Sequence, residues 1–339
     1  MIPRSDPLQQ PSQWQKELAC AIREPKKLYH ALELNPDTLN GSLAAHKSFR
    51  LLVPHAYLAK MKKGDKNDPL LLQVLPREIE NQTVSGFGID PVGDLAATQT
   101  PGLLHKYHGR ALLITTGACA IHCRYCFRRH FPYNASNASS HHWQPALDYL
   151  HANNEIHEVI LSGGDPLTLS DKKLADLSQK LDDIPHLRTL RIHTRLPLVL
   201  PNRINDALLH WLRKSRLKVV FVLHANHANE IDHDVKQVCQ HLRHIGVTLL
   251  NQTVLLKRIN DSAESLIQLS HALWGAGVLP YYLHLLDRVQ GSAHYECSMP
   301  TALSLMQTLR EQLPGYLVPK LVREEAGKQF KTPIPDKLA

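Results

Sequence analysis

Nowhere does this chain carry an apolar run long enough to span a bilayer, so no helical membrane span is expected. Its opening residues, Met1 to Pro7, are polar and broken by proline, and do not read as a signal peptide. A disulfide framework is missing too. There are six cysteines, three of them bunched together, a usage that fits a reducing cytoplasm. There is no zinc-finger spacing, no RNP-type aromatic motif and no long Lys/Arg block. The net charge of +8 therefore reads as a basic surface, with no nucleic-acid partner expected, and most of the 22 histidines as surface or packing residues. What remains is a globular chain: 339 residues, 43% hydrophobic, the size of one barrel plus an appendage.

Residues 1 to about 100 read as mainly helical. Ser12 is placed to cap a helix running through Trp14, Leu18 and Ile22, whose apolar residues recur at a period near four. No chemistry-bearing pattern stands out in this region, which is expected to cover the core or mediate oligomer contacts. From Arg110 the texture changes to alternating strands and helices. Strands are predicted at Ala111–Thr116, Glu158–Leu161, Thr189–His193, Lys218–Leu223, Val247–Leu250 and Leu279–Leu286. Helices are predicted near Trp143–Asn153, Asp171–Leu181, Ile204–Arg213, Glu230–Ile245, Ala263–Gly275 and Thr301–Leu313. Six β/α units with short apolar strands predict an α/β fold. Right-handed crossovers put the helices on one side of a curved parallel sheet, an open partial barrel. A flat doubly wound sheet is the alternative.

Cys119, Cys123 and Cys126 fall within eight residues, directly after the first of these strands. Thiolates are soft ligands that hold iron–sulfur clusters, and a cubane normally takes four cysteines, one per iron. No fourth is obvious, so one iron would be left open, the mark of a site that does chemistry. A zinc-stabilised binding module is the alternative reading of the same triplet. In a barrel of this kind the site lies at the C-terminal ends of the strands. Those ends here carry the cysteines, Ser162-Gly-Gly-Asp165, His193-Thr-Arg195, His224-Ala-Asn-His227, Asn251-Gln252 and Asp287. Gly163 and Gly164 allow close backbone approach to a ligand. Asp165 suits an ammonium, or else caps the following helix.

The cysteine spacing resembles that of the radical S-adenosylmethionine (SAM) superfamily. Pro101 through Arg129, Leu161-Ser-Gly-Gly-Asp165, Asn226-His-Ala-Asn-Glu230, Asn251-Gln-Thr-Val-Leu-Leu256, Pro280 through Asp287 and Val318 through Pro333 together resemble the lysine 2,3-aminomutase family. The resemblance covers roughly residue 90 to the end. After the helical region read over 1–100, it implies an open (β/α)6 partial TIM-type radical SAM core over 101–315 and a segment over 316–339 carrying a lysine that binds pyridoxal phosphate (PLP). It implies three cofactors: a [4Fe–4S] cluster on Cys119, Cys123 and Cys126, SAM, and PLP as a Schiff base on Lys331. Lys328 competes with Lys331 for that place. By position, Lys106, Tyr107 and Arg110 lie near the PLP phosphate. Gly163, Gly164 and Asp165 grip the SAM amino group, and His224, Asn251 and Gln252 are further cofactor contacts. Arg128 matches the arginine that binds the substrate carboxylate, where a planar fork suits a bidentate contact. Asp287 and Glu324 match the two acids that hold the distant ammonium of lysine, Glu324 replacing the family's aspartate.

The implied reaction converts L-α-lysine to β-lysine. The short segment after Lys331 resembles the branch that makes (R)-β-lysine for elongation factor P. That implies a functional link to that factor and its β-lysine ligase, an electron donor such as flavodoxin, and a possible homo-oligomer. Alternatives are an aminomutase of free lysine catabolism or acting on glutamate, and a radical SAM enzyme modifying RNA.

Overall fold

Side chains along a strand alternate between faces, and the strand Thr189–Thr194 follows that rule closely. Leu190 and Ile192 are fully buried in the main apolar core, whereas Arg191 and His193 are half-buried on the opposite face. The strand Thr248–Val254 keeps the same parity, whereas residues 159–162 and 221–223 are buried on both faces.

The structure is a computed structural model and describes residues 12–38, 42–133 and 143–335. Ten strands form one sheet whose spatial order equals their chain order. They are β1 (Thr98–Thr100), β2 (Leu103–Tyr107), β3 (Arg110–Thr116), β4 (Glu158–Gly163), β5 (Thr189–Thr194), β6 (Lys218–Leu223), β7 (Thr248–Val254), β8 (Leu279–His284), β9 (Lys320–Arg323) and β10 (Thr332–Pro333). Neighbours from β3 to β9 pair parallel, and β1, β2 and β10 add antiparallel at the two ends.

Five short helices precede the sheet: α1 (Gln13–Ala19), α2 (Pro25–Ala31), α3 (Ser42–Ser48), α4 (His55–Leu58) and α5 (Pro69–Leu72). After β3 come α6 (Gln144–Ala152) and, after β4, α7 (Asp171–Asp182). The turn α8 (Leu196–Val199) and then α9 (Asp206–Lys214) follow β5. Behind β6, β7 and β8 lie α10 (His233–His244), α11 (Ala263–Gly275) and α12 (Met299–Gln312). Side-chain oxygens of Ser170, Asn205, Asp232, Ser262 and Ser298 accept backbone N–H groups at the starts of five of these helices. Each cap satisfies donors that a helix start leaves unpaired. This is the open, mostly parallel α/β architecture expected of a partial TIM-type barrel. Among the described residues no helix is long and apolar enough to cross a membrane.

Several local expectations change. The first helix stops at Ala19, and Ile22 instead pairs in a β-bridge with Val53. Its start is closed by Gln15, whose Oε1 accepts the Ser12 N–H (2.9 Å). The β1–β2 hairpin and the C-terminal pair β9–β10 were not read from the sequence. Short strands with mixed burial carry too weak an alternation to register. β7 runs on to Val254, so Asn251 and Gln252 lie inside the strand and face opposite ways.

Candidate active site

A cavity of about 520 Å³ opens at the C-terminal ends of the parallel strands, where barrel chemistry is expected. Cys119, Cys123 and Cys126 wall it, and so does Lys331. The topology explains the meeting. The cysteines follow β3 near one end of the sheet. Lys331 precedes β10, which folds antiparallel onto β9 with Thr332 opposite Arg323. The open sheet curves, and β9 is pinned by Leu321 in the apolar cluster beneath α12. Lys328 is exposed and lies outside the cavity wall.

The cysteine loop, residues 117–133, is fastened from two sides. On the sheet side the Gly164 N–H donates to Thr116 O (2.7 Å), the Asp165 N–H to Ala118 O (2.8 Å), and the Tyr133 hydroxyl to Gly163 O (2.9 Å). On the other side the His122 N–H donates to Leu52 O (3.1 Å) and the Arg124 N–H to Gln73 O (2.8 Å). Beneath the loop, fully buried Arg124 lies on the Glu80 carboxylate, which also accepts from Arg129 (3.0 Å). The N-terminal region thus positions the cysteine loop, and Asp94 from the same region enters the cavity wall. The expectation that residues 1–100 bear on no chemistry is corrected.

Gly163, Gly164 and Asp165 line the cavity and also hold the cysteine loop. Gly163 has φ +118°, and a Cβ there would sit 2.5 Å from Thr116 O; one on Gly164 would overlap the Ala118 carbonyl. Their missing side chains make room for the cysteine loop itself. Asp165 accepts from Thr194 Oγ1 (2.8 Å) and from the backbone N–H groups of Arg195 (2.7 Å), Leu196 (3.2 Å) and Leu167 (3.1 Å). Burial pushes its pKa up to about 6 despite these donors. With its lone pairs occupied it ties β4 to β5 and caps the turn at Pro166, so the ammonium-gripping assignment is withdrawn. Gly164→Ala should push the cysteine loop aside, at a cost of ~1–3 kcal/mol for overpacking. Iron uptake on anaerobic reconstitution is the readout, and full uptake by this variant would remove the clamp from the argument.

Asn251 is corrected likewise. It donates to Ala225 O (3.0 Å) and Thr253 Oγ1 (2.8 Å), accepts the Ala225 N–H (2.9 Å), and is not part of the wall. Strand parity turns it outward and Gln252 inward. Gln252 Oε1 has no partner in the cavity wall, nor do Asp287 Oδ1, His193 Nε2 or His284 Nε2. These wall residues thus carry buried polar atoms that no protein group satisfies.

An alternating chain of charges crosses the cavity. Arg128 Nε donates to Asp94 Oδ2 (2.7 Å), and Lys106 Nζ lies 2.5 Å from Asp94 Oδ1 and 3.3 Å from Glu324 Oε1. Glu324 Oε2 in turn meets Lys331 Nζ. Burial would raise the pKa of Asp94, but Arg128 and Lys106 together hold it below the usual carboxylate range. Glu324 is likewise buried yet brought down to about 2 by Lys331 and Lys106. Asp287 goes the other way: burial, then the negative charge of Glu324, push it up to about 7. Burial also drives His224 down to about 4 and His193 and His284 well below their usual value, so all three are neutral imidazoles near pH 7. Arg110 lies over the Tyr107 ring, 4.7 Å from its centre, and Arg191, Tyr281 and Tyr282 complete that part of the wall. Arg191, His284 and Asp94 were not singled out from the sequence. Arg191 could have been, because it stands two residues from His193, an expected strand-end position.

The thiols fit a cluster. Burial pushes the Cys119 thiol well up and Cys126 up to about 11, and metal binding would displace both protons. Among the described residues no three His, Cys, Asp or Glu side chains close around one metal ion; a cubane takes one thiolate per iron.

The sequence profile of the Radical SAM superfamily matches residues 113–269. The chain is 48% identical over 332 residues to an L-lysine 2,3-aminomutase of Haemophilus influenzae, covering 98% of each. It is 47% identical to the L-lysine 2,3-aminomutase of Escherichia coli, covering 95% of this chain and 94% of that one. Identity to the Clostridium subterminale L-lysine 2,3-aminomutase is 33%, covering 95% of this chain and 77% of the other.

Proposed function

The chain belongs to the L-lysine 2,3-aminomutase family, and we propose on that premise that it converts L-lysine to β-lysine by radical chemistry at the cavity just described. One observation carries the reading: three thiols and the amine of Lys331 wall the same space. In it, Cys119, Cys123 and Cys126 hold a [4Fe–4S] cluster and leave one iron for SAM, while Lys331 anchors PLP. Bound together, these groups supply a substrate-derived radical and a carrier for the migrating nitrogen.

The protein's own residues bind and orient. Arg128, fixed by Asp94 and by Ser162 Oγ (3.0 Å), presents the rest of its fork to a substrate carboxylate. Asp287 and Glu324 receive the distant ammonium. Arg110, Tyr107 and Lys106 lie toward the cofactor phosphate, and His224 and Gln252 toward SAM. Fixed ends bring the reacting carbons into register. Within this proposal the product is the (R)-β-lysine made for elongation factor P, as the family resemblance implies. A β-lysine ligase would then consume the product, and a cytoplasmic flavodoxin-type donor would supply the electron.

The test is direct. Anaerobically reconstituted protein with SAM, PLP and a low-potential reductant should isomerise L-lysine to β-lysine and leave L-glutamate unchanged. Protein that holds both cluster and PLP yet leaves lysine untouched overturns the assignment. A pH dependence follows. Only ionised Asp287 attracts an ammonium, and its ionised fraction rises through pH 7. The lysine side chain, with a pKa of ~10.4, stays charged throughout. The KM for L-lysine should therefore fall roughly tenfold from pH 6 to pH 8 as that fraction grows. Asp287→Asn should raise KM and flatten this profile.

A further inference from the structure

Arg195 has no part in the reaction as described, yet it is among the most heavily partnered side chains of the molecule. It follows β5, is 5% exposed, and aims one arm of its guanidinium at a cluster cysteine, with Nη1 donating to Cys123 Sγ. The other arm is locked from behind. Nη2 donates to Tyr57 Oη (3.0 Å), Gln73 Oε1 (2.6 Å) and Glu230 Oε2 (2.7 Å). The rings of Tyr57 and Tyr125 flank the cation, their centres 5.3 and 5.9 Å away. Glu230 is itself immobile and fully buried, its Oε1 accepting the backbone N–H groups of Asn226 (2.8 Å) and His227 (3.1 Å). Such a fixed cation–anion pair, end-on to one sulfur, exceeds what packing requires. Replacing a buried ion pair by apolar groups is often neutral or stabilising.

We propose that Arg195 sets the reduction potential of the cluster through Cys123, with Glu230 as the counter-charge that limits its effect. The inference rests on the reading of Cys123 as a cluster ligand. Adding one electron to a cluster adds negative charge to its sulfurs. A buried positive charge and an N–H donor at a sulfur favour the reduced form and raise the potential. Glu230, on the far side of the same guanidinium, opposes that bias. Arg195 is thus a positioning and tuning group, and the electron still comes from an external one-electron donor.

The two charges predict opposite signs. Reconstituted wild-type, Arg195→Gln and Glu230→Gln proteins are titrated with dithionite against redox mediators, and the reduced cluster is followed by electron paramagnetic resonance. Iron and sulfide content are measured in parallel. Arg195→Gln should shift the midpoint to more negative potential by roughly tenfold in the reduced-to-oxidised ratio, ~59 mV for one electron. Glu230→Gln should shift it to more positive potential. A merely structural pair would lose cluster in both variants, or move both the same way, and either result overturns the inference. Should Arg195→Gln take up no iron, Glu230→Gln decides alone: an unmoved or more negative midpoint overturns the proposal. Wild-type protein that forms no cluster at all overturns the proposed function and this inference with it.

Discussion

Lys331→Ala should reconstitute its cluster normally, show no PLP absorption band, and make no detectable β-lysine. Its neighbour Lys328→Ala should retain both the band and the activity. The distinction is geometric. Lys331 is partly buried in the cavity wall, and its position is fixed because β10 pairs with β9 while Lys328 is left exposed on the intervening turn. An amine can serve as a covalent anchor only where the carbonyl it attacks can be held beside it. Borohydride reduction of the loaded wild-type protein, followed by peptide mapping, should find the label on Lys331. A label on Lys328, or a band that survives Lys331→Ala, would reassign the anchor.

Glu80→Ala should cost ~3–5 kcal/mol of stability, because removing one member of a buried ionic group leaves its partners uncompensated. The two guanidiniums left behind are those of Arg124 and Arg129, whose side chains are 0% and 2% exposed. Arg124 also donates to the Ala45 carbonyl (3.1 Å), so the break reaches α3. Both arginines flank Cys126 in the chain, so the loss should also appear as slow or incomplete iron incorporation. Glu80→Gln, which keeps the shape and one acceptor, should fall between. Urea denaturation of the anaerobic protein measures the first effect and iron content the second. A variant as stable as wild type would mean that the N-terminal region merely covers the loop.

The six central strands and their helices were legible because each is a short apolar run followed by a polar end, a pattern set by burial against helices. Lys218–Leu223 and Ala263–Gly275 were read to the residue. The cysteines and the inward positions His224 and Gln252 were legible for the same reason. What escaped depended on distance in the chain. Asp94 gains its importance only when Lys106 and Arg128 fold against it. Asp165 lost its expected role to four donors, three of them from residues 194–196. Asn251 and Gln252 look alike as neighbours, and only the length of β7 separates an outward side chain from an inward one.

The contact between Glu324 and Lys331 dictates an order of arrival. While the lysine keeps its proton, the acid that should greet an incoming amino acid is already engaged by a resident of the same charge. A Lys331 engaged in holding the cofactor would loosen that grip, leaving Lys106 as the acid's remaining partner. Loading and reception are therefore sequential. Protein not yet charged with its vitamin-derived coenzyme should be a poor host for lysine, so little free amino acid is trapped where it cannot react.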